Sequence, residues 1–222
     1  MNGTIRLAVG GVCALTGAAL LLSSASISLR GWYWQERHAG LFVAAQSPAA
    51  PAVGVRRPPQ APPPPVHGEA LAHLRVPRLG IGTVIVEGTD AKSLRLGPGH
   101  LEGSALPGEP DNCIIAGHRD GPFSRLGSAR PGDIVEIADR TRVSRYRIES
   151  IETVPKGDLR PLSPSSEPVL TLITCFPFHY VGKAPNRFIV RASLLEVARE
   201  EPVRRSSAEA GPETLAGFRP AP

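Results

Sequence analysis

The stretch VLTLITCFPFHYVGKAPNRFIVRA, residues 169–192, sets two extended segments around one turn-rich connection. In its first part, apolar and β-branched residues run without a break to Cys175. Period-two alternation puts Val169, Thr171, Ile173 and Cys175 on one strand face. A thiol at a strand end, beside a loop rich in aromatics and proline, is placed to face a groove. Most free cysteines are buried apolar residues, so position alone leaves both roles open. Arg187 opens the second strand, and Arg191 shares its face four residues on. An arginine cannot serve as a base, but its fixed fork of donors can stabilise an oxyanion. Periodicity does not choose between the two.

Working outward, the same period-two pattern recurs upstream. HLRVPRL, TVIVEG, NCIIAG, DIVEIAD and SRYRIESIETV read as strands, with Tyr146, Ile148 and Ile151 as core residues. Gly/Pro punctuation separates them at 97–99, 107–112, 130–133 and 156–158. Helical signals are short, around AKSLRL and PFSRL. Seven or eight short strands with such turns imply an all-β barrel or sandwich spanning 69–197.

A thiol nucleophile is most effective beside a base. His118 follows NCIIAG directly, in AGHRDG, where flanking glycines predict a sharp turn. His179, in the loop after Cys175, is the rival. His67, His73 and His100 lack such a setting. Cys113 reads as apolar filler on the His118 strand, although a disulfide to Cys175 would silence the thiol. Asp111 and Asp120 are the carboxylates near enough in sequence to orient His118. No HxH, HxxxH or CxxC spacing supports a metal site, and no cofactor is expected.

The formal charge of +5 is uneven. Residues 1–68 carry five Arg and one Glu, whereas 69–197 carry sixteen basic and fifteen acidic residues. A nucleic-acid-binding domain would concentrate the charge on the fold itself, so that partner is excluded. After a tail of residues 1–6, residues 7–29 contain no charge, and Trp32, Tyr33 and Trp34 follow. Such a run spans a bilayer, with the aromatics at its interface. It is read as an uncleaved single-pass anchor. Residues 30–68 form a linker, with eight prolines in 47–66 that favour an extended spacer. On this reading the arm lends the domain no core. Residues 198–222, rich in Pro, Ala and Glu, read as a disordered tail.

Three blocks carry a resemblance. VPRLGIGTVIVEGTD, DNCIIAGHRDGPF and TLITCFPFHYVGKAPNRFIVRA resemble, in this order, segments of the sortases, most closely their class D members. The resemblance covers 69–197. It implies a closed eight-stranded β-barrel and an extracytoplasmic cysteine transpeptidase on the cell membrane. It makes Cys175 the nucleophile, His118 the acid/base and Arg187 the oxyanion stabiliser. Ile173, Thr174 and Phe176 become substrate contacts. The implied partners are an LPxTG-like sorting-signal peptide of a secreted client and an amine acceptor on the cell wall or a pilin. The loop from Pro155 to Pro168 would cover the Leu-Pro part of the peptide, and Phe176–Val181 would wall off water. A hydrolytic peptidase of the same fold and a non-enzymatic tethered β-domain are the alternatives.

Overall fold

The computed structural model describes residues 3–43 and 64–199. One helix, α1 (Gly3–Val43), precedes eight strands. These are β1 (Ala70–Val76), β2 (Ile81–Glu87), β3 (Gly99–His100), β4 (Asn112–Gly117), β5 (Ile134–Ala138), β6 (Arg142–Pro155), β7 (Val169–Phe176) and β8 (Asn186–Arg199). They close into a barrel in the order β1-β2-β3-β4-β7-β8-β6-β5. The β2–β3 and β4–β7 pairs are parallel, the others antiparallel. The interior holds Leu74, Ile85, Ile115, Tyr146, Ile148, Leu170, Leu172 and Val190, all buried. Burying each aliphatic side chain contributes about 1.5–3 kcal/mol.

The strand pattern is the expected one, with three differences. The segment HLRVPRL splits: β1 ends at Val76, and Pro77–Leu79 turn as a 3-10 helix. Pro77 has no N–H for the ladder, so it stops the strand. Gly99, expected in the 97–99 turn, instead opens β3 with His100, a strand of two residues that no periodicity can announce. A Cβ on Gly99 would lie 2.1 Å from the Gly88 carbonyl oxygen, so only glycine admits this close pairing. β8 continues to Arg199, past the expected boundary at 197, because Ala198 and Arg199 still pair with Val143 and Arg142.

The largest difference concerns α1. It extends through residues 30–43, which the sequence assigns to the linker. This part docks on the barrel. Gln35 Nε2 donates to the carbonyls of Val84 at 3.0 Å and Leu96 at 2.8 Å. Its Oε1 accepts from Val84 N–H at 2.6 Å and from the Thr83 hydroxyl at 3.1 Å. β3 pairs with β2 only at Val86 and Glu87. Gln35 therefore satisfies a stretch of β2 backbone that the ladder leaves open. Gly31 lets the helix approach the Arg95 carbonyl, where a Cβ would come to 2.9 Å. Phe42 is buried. The arm thus adds to the barrel, contrary to the expectation that it lends no core. Many side chains of the charge-free stretch, most of residues 47–66 and residues 200–222 lie outside the described residues. Among the described residues, no helix is long and apolar enough to cross a membrane.

Candidate active site

Strand register assembles the site. Cys175 is the penultimate residue of β7, which lies between β4 and β8. On one side, β7 and β8 pair Cys175 with Arg187. On the other, the parallel β4–β7 ladder ends at Gly117 opposite Thr174, so His118 follows at the level of Cys175. Leu170 and Leu172 face the barrel interior, so Cys175, three residues beyond Leu172, faces outward. Residues directly opposite in a ladder share a face. Cys175, His118 and Arg187 therefore converge on the outside of the barrel, in a cleft of about 260 Å³. A larger depression of about 630 Å³ lies elsewhere, beside Asp133 and Glu196, but no thiol or hydroxyl side chain lines it.

The sequence explains this placement locally. A Cβ on Gly117 would stand 2.6 Å from the Phe123 ring, so glycine lets β4 end against the 3-10 helix Pro122–Ser128. The next residue, His118, is thereby delivered to the rim. Arg187 is partly buried, and Nη1 donates to its neighbour's carbonyl, Asn186 O, at 3.0 Å. Among the described residues it has no carboxylate partner. Arg119, Lys156 and Lys183 also line the cleft, against a single carboxylate, Asp120. Such an excess of fixed positive charge favours negative charge that develops on a reacting carbonyl.

Other assigned residues fall elsewhere. Arg191 pairs with Thr171, four residues back from Cys175 along β7. His179 is exposed and does not line the cleft. Thr174 is buried, and its hydroxyl donates to Gly117 O at 2.8 Å. It braces the His118 strand against the Cys175 strand, and its side chain is not offered to the cleft. Phe176 and Phe178 do not form an open wall. They pack with Phe188, with ring centroids 5.2–6.0 Å apart. Only Tyr180 and Val181 of that segment are exposed large apolar side chains. Ile173 lies two residues before Cys175, on the same face and partly exposed.

Cys113 pairs with Leu170 and lies in the buried core. It is thus five residues, about 16 Å of strand, from Cys175 and on the opposite face. No disulfide can bridge them, and both thiols are free. Burial pushes the Cys113 thiol far above its ordinary range. Asp111 sits at the start of β4, where Oδ1 accepts from the Asn112 and Ser165 N–H groups at 2.7 and 2.6 Å. It is at the wrong end of the strand to orient His118. Asp120 shares the cleft with that ring. His100 is buried between Glu87 and the Ala105 carbonyl, at 2.8 and 2.9 Å. Among the described residues, no three potential metal ligands gather.

A family model for the sortase domain matches residues 74–195, more than half of the chain. The chain belongs to the sortase family. Sortase D of Bacillus subtilis (strain 168) is 37% identical over 127 residues, covering 57% of this chain and 64% of that protein. The match thus spans under two thirds of that relative's length. The Clostridium perfringens Sortase D5 transpeptidase superposes with a TM-score of 0.56 at 30% identity, over 60% of this chain and 83% of that one. The SrtF sortase of Corynebacterium diphtheriae superposes with a TM-score of 0.60 at 26% identity, over 69% and 98%. Among the described residues, Cys175 is the cysteine that lines the cleft, while Cys113 is buried in the core. Sequence reasoning missed Arg119, Lys156 and Lys183 at that cleft, since each reads as an ordinary turn charge until the loops are in place.

Proposed function

We propose that this sortase is a membrane-anchored cysteine transpeptidase that cleaves an LPxTG-like sorting signal and passes the acyl group to an amine. The carrying observation is the register that sets Cys175 beside His118 and opposite Arg187. The Cys175 thiolate attacks the carbonyl carbon of the scissile peptide bond. Arg187 donates to the oxygen as it becomes negative. The C–N bond breaks, His118 gives its proton to the leaving amine, and a thioester to Cys175 remains. An acceptor amine then attacks the thioester, His118 takes its proton, and the thiolate departs.

The donor peptide would lie along the outer face of β7. The loop of residues 156–168 supports this, since it starts beside the Cys175 end of the sheet and returns at Val169. Asn112 pins it, donating to Pro161 O and Ser163 O at 3.0 Å each, while Thr171 donates to Asn112 Oδ1 at 2.7 Å. Leu159 and Leu162 remain exposed on it as apolar contacts for the signal. Ile173 completes that surface. α1 would hold the domain on the outer side of the membrane through residues 7–29, with a cell-wall or pilin amine as acceptor.

Intact-mass measurement tests the reaction. Incubation with an LPxTG-type peptide should leave an acyl adduct on the wild-type protein and none on Cys175→Ala. With a glycine-type amine present, the transfer product should replace free acid. Free acid alone, whatever the amine concentration, would make the protein a hydrolytic peptidase. No adduct and no cleavage would end the enzymatic reading.

A further inference from the structure

Arg119, the residue after His118, reaches across the cleft to the loop that joins β7 to β8. Its Nη1 donates to Pro177 O at 3.0 Å. Its Nη2 donates to Tyr180 O at 2.6 Å and Gly182 O at 3.1 Å. The guanidinium carbon also lies 5.8 Å from the centre of the Tyr180 ring. One side chain thus gathers three carbonyls spread over six residues.

Those carbonyls belong to the segment between Cys175 and Arg187. Residues 177–185 begin one residue after Phe176, at the end of β7, and end one residue before Asn186, at the start of β8. Phe178 fixes the near part of this loop through the aromatic cluster and the close approach of Gly127, whose Cβ would be 2.9 Å from its ring. Residues 179–183 are exposed, and burial resumes only at Ala184. Tyr180 is 46% exposed and Val181 99% exposed, and Gly182 has a φ of 98°. Besides the Arg119 bonds, the loop backbone is tied among the described residues by Pro185 O, which accepts from Lys156 N–H at 3.0 Å. An open loop of this kind would sample many conformations, and ordering each residue costs about 1–2 kcal/mol of entropy. A planar five-donor fork suits several carbonyls at once, and a lysine ammonium does not reproduce it.

Resting on the transpeptidase reading above, we propose that Arg119 is a positioning residue. It locks the β7–β8 loop onto the His118 turn, so that the rim of the cleft is preformed when the peptide arrives. The three chain segments that carry Cys175, His118 and Arg187 are then held by one side chain that does no chemistry itself. A loosened loop must be ordered at the expense of binding, so its loss should fall mainly on KM for the peptide, with a smaller loss in kcat.

The test compares wild type, Arg119→Lys and Arg119→Gln. Lysine keeps the charge and loses the fork; glutamine loses the charge. Both variants should raise peptide KM roughly tenfold or more, and both should speed amide hydrogen exchange in residues 177–185 while leaving β4 and β7 protected. Wild-type KM and exchange in Arg119→Lys would overturn the proposal. A loss confined to Arg119→Gln, with a shifted pH–rate profile and unchanged exchange, would also overturn it and assign Arg119 a charge effect on His118. A wild-type protein that forms no adduct with peptide would instead sink the transpeptidase reading, while the exchange comparison would still decide whether Arg119 holds the loop.

Discussion

Arg187 stands directly across the β7–β8 ladder from Cys175, whereas Arg191 stands across from Thr171. Directly paired residues on one face of an antiparallel sheet bring their Cβ atoms to about 4.5–5.5 Å. A guanidinium there can reach a carbonyl under attack by the Cys175 sulfur. Four residues along the strand, about 13 Å away, it cannot. Arg187→Ala should therefore lower kcat by about a hundredfold or more, the usual loss for one oxyanion donor, with little change in KM. Arg187→Lys should recover part of it, and Arg191→Ala should stay within a few-fold of wild type. Steady-state kinetics on a fluorescent sorting peptide measures all three. Equal losses at both arginines would remove Arg187 from the oxyanion role.

Residue type and strand end nominate Cys175, His118 with His179 as its rival, and an arginine of the last strand, and the family resemblance chooses among them. What periodicity cannot supply is register, and register is what separates Arg187 from Arg191. Long-range side-chain contacts were equally hidden. Nothing local in AGHRDG says that Arg119 bonds carbonyls about sixty residues later. Thr174 is expected as a substrate contact with Ile173 and Phe176, but alternation turns it to the face opposite Cys175, where it is buried. The helix through residues 30–43 was missed for another reason. Its polar and charged side chains broke the apolar run used to mark the anchor, while Gln35 meets backbone partners far along the chain.

Gln35 gives a second prediction. Its amide forms a paired contact with Val84, accepting from the N–H and donating to the C=O. Gln35→Ala leaves that backbone pair open, and an unpaired buried group costs about 1–3 kcal/mol. The melting temperature should fall by several degrees, since about 1 kcal/mol moves a domain of this size by a few degrees. A soluble form beginning at Gly31 should accordingly be more stable than one beginning at His67. Equal melting of these two forms would show that the helix lends the barrel nothing.

Cys113 supplies a contrast with Cys175. It is a free, buried thiol on the interior face, held protonated by burial. Cys113→Ala should retain most activity and lose about 1 kcal/mol of stability, the order expected for deleting one buried heavy atom. A thiol alkylating reagent should label native wild-type protein at Cys175 while Cys113 stays protected until unfolding. Peptide mapping after brief alkylation reads this directly. Rapid modification of Cys113 in the native protein would contradict its placement.

Away from the cleft, Arg78 and Asp133 clamp the β1–β2 turn to the start of β5. Asp133 accepts from Arg78 Nε and Nη2, the latter at 2.6 Å, and from Arg130 N–H at 2.8 Å. Arg78 Nη2 also donates to Ser128 O at 2.6 Å. The Arg78 hydrogen bonds, ahead of the backbone contact and the nearby charges, hold the Asp133 carboxyl below the usual carboxylate range. A folded-state pKa below the unfolded value, about 3.9 for Asp, stabilises the fold above that value. The contribution fades as pH falls through it toward the lower folded pKa. Arg78→Leu removes the clamp, so its destabilisation should be full at pH 7 and shrink as pH drops below about 4, where the unfolded chain takes up the proton. Solvent screening at the half-exposed guanidinium keeps the neutral-pH effect modest. Thermal melts of wild type and Arg78→Leu from pH 7 to pH 3 should therefore converge at the acid end. Curves that stay parallel over that range would mean that Arg78 acts by packing rather than by holding the Asp133 carboxylate.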